Sequence, residues 1–209
     1  MQDLVDNFAV LHLTRRPWLD PIEVQTRFRT LSADAHPDRV HLESAQVKAG
    51  AHDRFASLNA ACSCLLNPRE RLRHLLELET GAKVEAVERL PSAATEYYFE
   101  LGGLCREVDT FLARMPGDLS PLLKVDFFRR AMGWRDKLEV QLAKLTAHAA
   151  ELGQRLKDLN AMWDKAPPIG NSERPAALPL RDLEQLYREI SYVLRWSDQV
   201  RERMLRLVL

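Results

Sequence analysis

Two groups of side chains in this sequence have types and spacings that invite a chemical reading. The first is Cys62-Ser63-Cys64. Two thiolates one residue apart hold a soft metal only when further ligands lie close by. The remaining cysteine, Cys105, is distant in sequence, and no CxxC pair exists. Small cysteines on an apolar helix face are ordinary core residues, so no metal ligand and no cofactor is expected. The second group is histidine: His12, His36, His41, His52 and His74 all fall in the first 74 residues. None stands one helical turn from a second ligand with a carboxylate beside it, the arrangement that zinc peptidases use. There is no GxSxG, no Walker loop and no GxGxxG after a strand pattern. No catalytic residue is assigned, and the chain is not expected to be an enzyme.

One constellation remains, His36-Pro37-Asp38. Its plainest reading is a helix stop, because proline disfavours α geometry in the residue before it. Its chemical reading is a rigid corner. Proline fixes its own φ, and a carboxylate held on such a corner can make a charge-assisted hydrogen bond to a cation on a partner.

The elements that must position this corner are all helical. Leucine occurs 34 times against 3 isoleucines, with 7 threonines and 8 glycines. A sheet protein wants β-branched residues in strands and glycine in hairpins, so the composition points to an all-α fold. Asn7 can cap a short helix from Phe8 to Leu13. Asp20-Pro21 opens the next one as N-cap and first helical residue, with Val24, Phe28 and Leu31 as its inward stripe. After Pro37 comes a polar loop, then a helix over 46–66 with Val47, Phe55, Leu58, Ala61 and Leu65 inward. Asn67-Pro68 ends that helix and starts another, which carries Leu72, Leu75 and Leu76 and stops at Gly81.

Residues 81–93 are weakly periodic, with Pro91-Ser92 as punctuation, and read as a linker between a domain over 1–80 and a second over 94–209. The second domain opens with an amphipathic helix over 94–115. Ser120-Pro121 then starts a long helix that can reach Lys165. Leu138, Leu142, Leu145, Ala149, Leu152, Leu156, Leu159 and Trp163 alternate spacings of four and three, a coiled-coil seam. After a proline-rich loop over 166–179 the alternation resumes through Leu183, Leu186, Ile190, Val193, Ser197, Val200, Met204 and Leu207. The expected architecture is an antiparallel three-helix bundle.

Lysine plus arginine equals aspartate plus glutamate, 30 against 30. With no basic excess there are few counterions to release, so no nucleic-acid partner is expected. The start of the chain has no basic residues leading an apolar run, and no stretch is long enough to span a bilayer. No membrane partner is expected, and the reading is a cytoplasmic protein.

The helix–corner–helix segment resembles the J domain of DnaJ-like co-chaperones. The likeness rests on Phe28-Arg29-Thr30-Leu31, His36-Pro37-Asp38-Arg39, Asn59-Ala60-Ala61 and Asn67-Pro68-Arg69, with Phe8 to Leu13 similar to the family's opening turn. The resemblance implies binding to a DnaK/HscA-type chaperone ATPase through His36, Pro37 and Asp38, with Arg27, Arg29 and Arg39 steering the encounter. Asp34 and Ala35 depart from the family, which often has Lys and Tyr there.

No Gly/Phe-rich linker or zinc-finger cysteines follow, and a helical bundle comes next. That layout is similar to the HscB type, the co-chaperone of iron–sulfur cluster assembly. Residues 67–78 and the segment Tyr97 to Asp109 carry this second resemblance. It implies that the bundle's opening helix binds an IscU-type scaffold protein as client, through Tyr98 and Phe99 as apolar anchors and Glu100 and Glu107 as acidic companions. Gly102-Gly103 depart from the Leu and acidic residue usual there. A buried Tyr98 and Phe99 in the bundle core is an equally good reading of those aromatics. The alternatives for the whole chain are a J protein serving a different client and a non-catalytic coiled-coil adaptor.

Overall fold

The computed structural model describes residues 4–34, 44–84, 95–114 and 121–208. These contain helices and no strands: α1 (Asn7–Val10), α2 (Pro21–Asp34), α3 (Ala45–Leu66), α4 (Pro68–Thr80), α5 (Thr95–Ala113), α6 (Pro121–Asp164), α7 (Arg174–Ala177) and α8 (Leu180–Arg206). The chain is an all-α protein, with α2 packed on α3 near its start and a helical bundle further on. It divides into two compact units that do not follow chain order. The first takes Met1–Ala86 with Gly153–Tyr187, the second Val87–Leu152 with Arg188–Leu209. Most of the expected linker lies outside the described residues.

In the first unit, local chemistry sets the helix ends. Asp6, one residue ahead of the expected cap Asn7, accepts hydrogen bonds from the Phe8 and Ala9 amides and starts α1. Asn67 accepts from the Arg69 and Glu70 amides to open α4, with Pro68 as its first residue. Gly81, at φ +70°, closes it in the left-handed region that lacks a Cβ clash.

Helix α3 packs against α1, α2 and α4. Phe8, Leu11, Leu65, Leu72 and Leu75 are fully buried, each contributing roughly 1.5–3 kcal/mol of apolar burial. Of the stripe expected on α2, Val24 is buried and Phe28 and Leu31 are half-buried. Val47 corrects the reading of α3. It is 46% exposed, as are all of residues 46–50, and the inward face begins at Ala51 and Phe55.

Three polar side chains on α4 are buried, each tying down a different segment. Arg71 donates from Nε to the Pro17 carbonyl at 3.0 Å and from Nη1 to the Leu65 carbonyl at 2.6 Å. Burial lowers its pKa to about 10, so it remains charged at neutral pH. His74 Nε2 accepts the Asn7 amide at 3.0 Å, and its ring stacks on Phe8 with centroids 6.0 Å apart. An accepting Nε2 carries no proton, so this imidazole is neutral. Glu79 takes Arg174 Nε and Nη2 on its two oxygens, both at 2.8 Å. The Glu79 hydrogen bonds hold the Arg174 pKa above its ordinary value.

Arg174 also donates from Nη1 to the Pro167 carbonyl at 2.6 Å. The proline-rich segment is thus pinned and contains α7. The Asn160 side-chain amide completes the unit, accepting the Trp18 N–H at 3.0 Å and donating to the Trp18 carbonyl at 2.9 Å.

In the second unit, Tyr98 near the start of α5 lies 6.0 Å from both Tyr192 and Trp196 of α8. Asp109, three turns on, pairs with Arg203 at 2.6 Å and Arg206 at 3.2 Å. Contacts that advance together along both helices make α5 and α8 parallel, as the outer pair of an up-down-up bundle must be. Phe111 of α5 stacks on Phe127 of α6 at 4.4 Å. Of the expected seam on α6, Leu138, Leu145 and Leu152 in this unit are buried and Leu142 and Ala149 half-buried, while in the stretch of α6 that belongs to the first unit Leu156 and Trp163 are buried and Leu159 half-buried. A straight helix drifts about 20° per heptad from a 3.5-residue repeat, which turns alternate positions toward the rim.

Two predictions follow from the α4 contacts. Glu79→Gln leaves Arg174 charged, buried and uncompensated, and should lower unfolding free energy by about 3–5 kcal/mol. Glu79→Gln combined with Arg174→Met should recover most of that loss in urea titrations, and additive costs would contradict the pair. The pKa of His74 is lowered from its ordinary 6.5, chiefly by burial. A lowered folded-state pKa gives stability that is complete above about pH 6.5 and is lost as pH falls through the lower folded value. His74→Gln should remove that acid-side dependence from the urea midpoint, and a midpoint equally pH-dependent in the variant would contradict the assignment.

Candidate functional site

The corner expected to carry the function, His36-Pro37-Asp38 with Arg39, lies outside the described residues. The helices on either side of it in sequence, α2 and α3, are described, and they pack on each other. Arg27 and Arg29 on α2 are both exposed. They do not share a face. At 100° per residue they stand about 200° apart around the helix. Arg29 lies on the outermost face with Ile22, which is 73% exposed. Arg27 sits on the flank nearer the packed side. A partner laid along α2 touches one of them directly and meets the other only through the long-range field.

The opening helix of the bundle divides the expected client residues. Tyr98 is 4% exposed and Phe99 is 73% exposed. The Tyr98 ring is held among Tyr97, Tyr192 and Trp196, and burial, with nearby Tyr97, Glu189 and Tyr192, pushes its pKa up to about 12. An interface anchor must be presented, so the expectation of two aromatic anchors is corrected. Tyr98 is core, and Phe99 alone faces outward. Glu100 and Glu107 are exposed and lie two turns apart on nearly one face, since seven residues rotate about 700°.

The two glycines that depart from the family pattern have different surroundings. A Cβ on Gly102 would lie 3.3 Å from Trp196 Cη2, whereas one on Gly103 would meet only the Arg106 guanidinium at 3.9 Å. The first glycine lets Trp196 lie against the helix backbone, and the second makes no such contact.

Cys62 and Cys64 lie on α3 and Cys105 on α5. Cys62 and Cys105 are buried and Cys64 is half-buried, all as free thiols. Burial raises the pKa of each, which favours the protonated thiol at neutral pH. No group of three or more His, Cys, Asp or Glu side chains suited to a metal ion occurs among the described residues. No described helix is long and apolar enough to cross a membrane.

No protein-family model matches the sequence. Three curated proteins from Bordetella pertussis, Bordetella parapertussis and Bordetella bronchiseptica, each a co-chaperone protein HscB homolog, are 35% identical to it over 72 residues. That stretch is 34% of this chain and 42% of each relative. Among solved structures, chaperone HscB from Vibrio cholerae superposes with a TM-score of 0.59 at 21% identity, covering 98% of this chain and 100% of that one. The chain resembles HscB-type co-chaperones. Human co-chaperone HscB gives a TM-score of 0.52 at 14% identity over 96% of this chain and 83% of that one. The HscB fold is thus matched along nearly the whole chain, whereas the curated sequence likeness is confined to about a third of it.

The sequence did not mark the residues that brace this HscB-like frame. Glu79 and Arg174 are 95 positions apart, and neither lies in a motif.

The glycine pair yields a paired prediction. Gly103→Ala should stabilise the protein by about 0.5–1 kcal/mol through helix propensity. Gly102→Leu should destabilise it by about 1–3 kcal/mol through overpacking against Trp196. Unfolding by urea reads both, and shifts of the same sign would contradict the close approach of Trp196.

Proposed function

We propose that this chain is a co-chaperone of the HscB type. It docks on a DnaK/HscA-type chaperone through α2 and the His36-Pro37-Asp38 corner, and stimulates that partner's ATP hydrolysis. It delivers a client carried on α5, and the client is an IscU-type iron–sulfur scaffold protein. The chain contributes no catalytic group of its own; the hydrolysed bond belongs to the partner's nucleotide. What carries this reading is the full-length fold likeness to HscB together with a His-Pro-Asp triplet falling between α2 and α3.

The physical case for the first half is presentation. A hairpin whose base is fixed by buried contacts holds its connecting corner at low entropic cost, and proline narrows the corner further. A carboxylate there gains most when it meets a guanidinium. Arg29 on the outer face of α2 and Arg39 beside the corner add positive charge that speeds encounter with an acidic patch on the chaperone.

The case for the second half is Phe99. An aromatic ring left 73% exposed on a packed helix retains most of its apolar surface for a partner, and aromatic anchors dominate interface energetics. Glu100 and Glu107 lie to one side of it and supply a polar rim there.

Adding the protein to the DnaK/HscA-type chaperone of the same organism should raise steady-state ATP turnover. Asp38→Asn should return turnover to the chaperone's basal rate while leaving the helical content unchanged. Phe99→Ala should weaken binding of labelled IscU-type scaffold by about 2 kcal/mol, on the order of thirtyfold, and leave the ATPase effect of the free co-chaperone intact. Turnover unaltered by the wild-type protein would overturn the co-chaperone reading. Scaffold binding indifferent to Phe99 would overturn the client surface.

A further inference from the structure

A further feature of the second unit adjoins the Phe99 surface and shares Glu107 with it. A cleft of about 680 Å³ opens between α5 and the first half of α6. Its floor is aromatic: Phe111 stacks on Phe127 at 4.4 Å and lies 6.3 Å from Trp134. Its rim carries Arg106, Arg114 and Arg130, against the single carboxylate of Glu107. Among the described residues none of these three guanidinium groups is paired with a carboxylate. Arg130 instead lies over the Phe111 ring, 5.4 Å from its centroid. Elsewhere in the same unit an arginine does find its acid, as Arg203 does with Asp109 at 2.6 Å.

We propose that this cleft is a docking site for an acidic peptide segment bearing an aromatic or large apolar side chain, on the client protein. The inference deepens the reading of α5 as the client-facing helix and rests on it for the identity of the bearer. Guanidinium groups bind carboxylates in a two-pronged geometry, and an apolar floor between them buries the side chain that fixes register. A ring entering the cleft also meets Arg130 as a cation–π partner.

Charge argues for a peptide over a nucleic acid. The cleft is locally positive, while the chain as a whole balances 30 basic against 30 acidic residues, so it lacks the broad basic field that phosphate backbones require. Location argues for continuity with the client surface. Gly103 and Glu107, both on the lining, stand four and eight residues beyond Phe99, one and two turns along the same side of α5.

The test uses the full chain and fluorescence anisotropy. The probes are a short labelled peptide alternating glutamate with tryptophan, the same peptide with lysine for glutamate, and a labelled oligouridylate. The acidic peptide should bind and weaken as salt rises, and the lysine peptide and the oligouridylate should bind at least tenfold more weakly. Arg106→Glu with Arg130→Glu should lower acidic-peptide affinity by at least about tenfold. The milder Arg106→Gln, on an exposed position, should lower it less, with circular dichroism confirming unchanged helix content. Equal binding of both peptides, tighter binding of the oligouridylate, or indifference to the charge reversal in a folded variant would overturn the proposal. The labelled scaffold is measured in parallel. Acidic-peptide binding without scaffold binding supports the cleft and removes the scaffold as its client, whereas scaffold binding with no acidic-peptide binding removes the cleft and leaves Phe99 as the client surface.

Discussion

The first unit depends on one buried carboxylate. Glu79 lies in the last turn of α4 with its side chain only 2% exposed, and burying a carboxylate without partners is costly. The fork of Arg174 meets both of its oxygens. That contact reaches 95 residues along the chain and fixes the segment between α6 and α8. Arg15 adds a second cation, 3.9 Å from Glu79 and 2.8 Å from Asp6, the residue that caps α1. With Arg71 and His74 one and two turns into the same helix, α4 becomes the strut to which α1, the Pro17 loop, the end of α3 and α7 are all tied. Such a network is costly to break and gives little net stability over an apolar substitute. What it contributes is a single arrangement of the base from which α2 and α3 project.

On the proposed co-chaperone reading, the contact asked of Asp38 is an ordinary ion pair, and a firm base for α2 and α3 is what packing contributes to it. The second unit solves a different problem. Its aromatic cluster of Tyr98, Tyr192 and Trp196 joins α5 to α8, while Phe99, the next residue, faces outward. Adjacent residues on a helix point about 100° apart, which lets Tyr98 be buried while Phe99 is exposed.

What the sequence revealed was mostly local. Asn67, Pro68 and Gly81 mark helix ends because a cap, a fixed φ and a left-handed φ act within one turn. The all-α class followed from composition, and the long helices from their apolar period. The cap of α1 fell one residue early because Asp6 and Asn7 are both capable acceptors. Val47 fits the apolar period yet is exposed, because an apolar residue near a helix start matches the period whether or not anything covers it. The halves of Tyr98-Phe99 could not be told apart, since which ring is buried depends on where α8 lies, and α8 is some 90 residues away. The same blindness hid Glu79 and Arg174, whose pairing has no local signature, and the Arg106, Arg130 and Trp134 cleft, whose members come from two helices.

The most direct test of the central claim is nuclear magnetic resonance on the isotope-labelled full chain, titrated with the nucleotide-binding domain of a DnaK/HscA-type chaperone. The account requires resonances of α2 and of the His36-Pro37-Asp38 corner to broaden or shift first, with Arg29 on the outer face affected more than Arg27 and the α4 strut undisturbed. Perturbation centred on α5 and α8, with α2 and the corner silent, would contradict it.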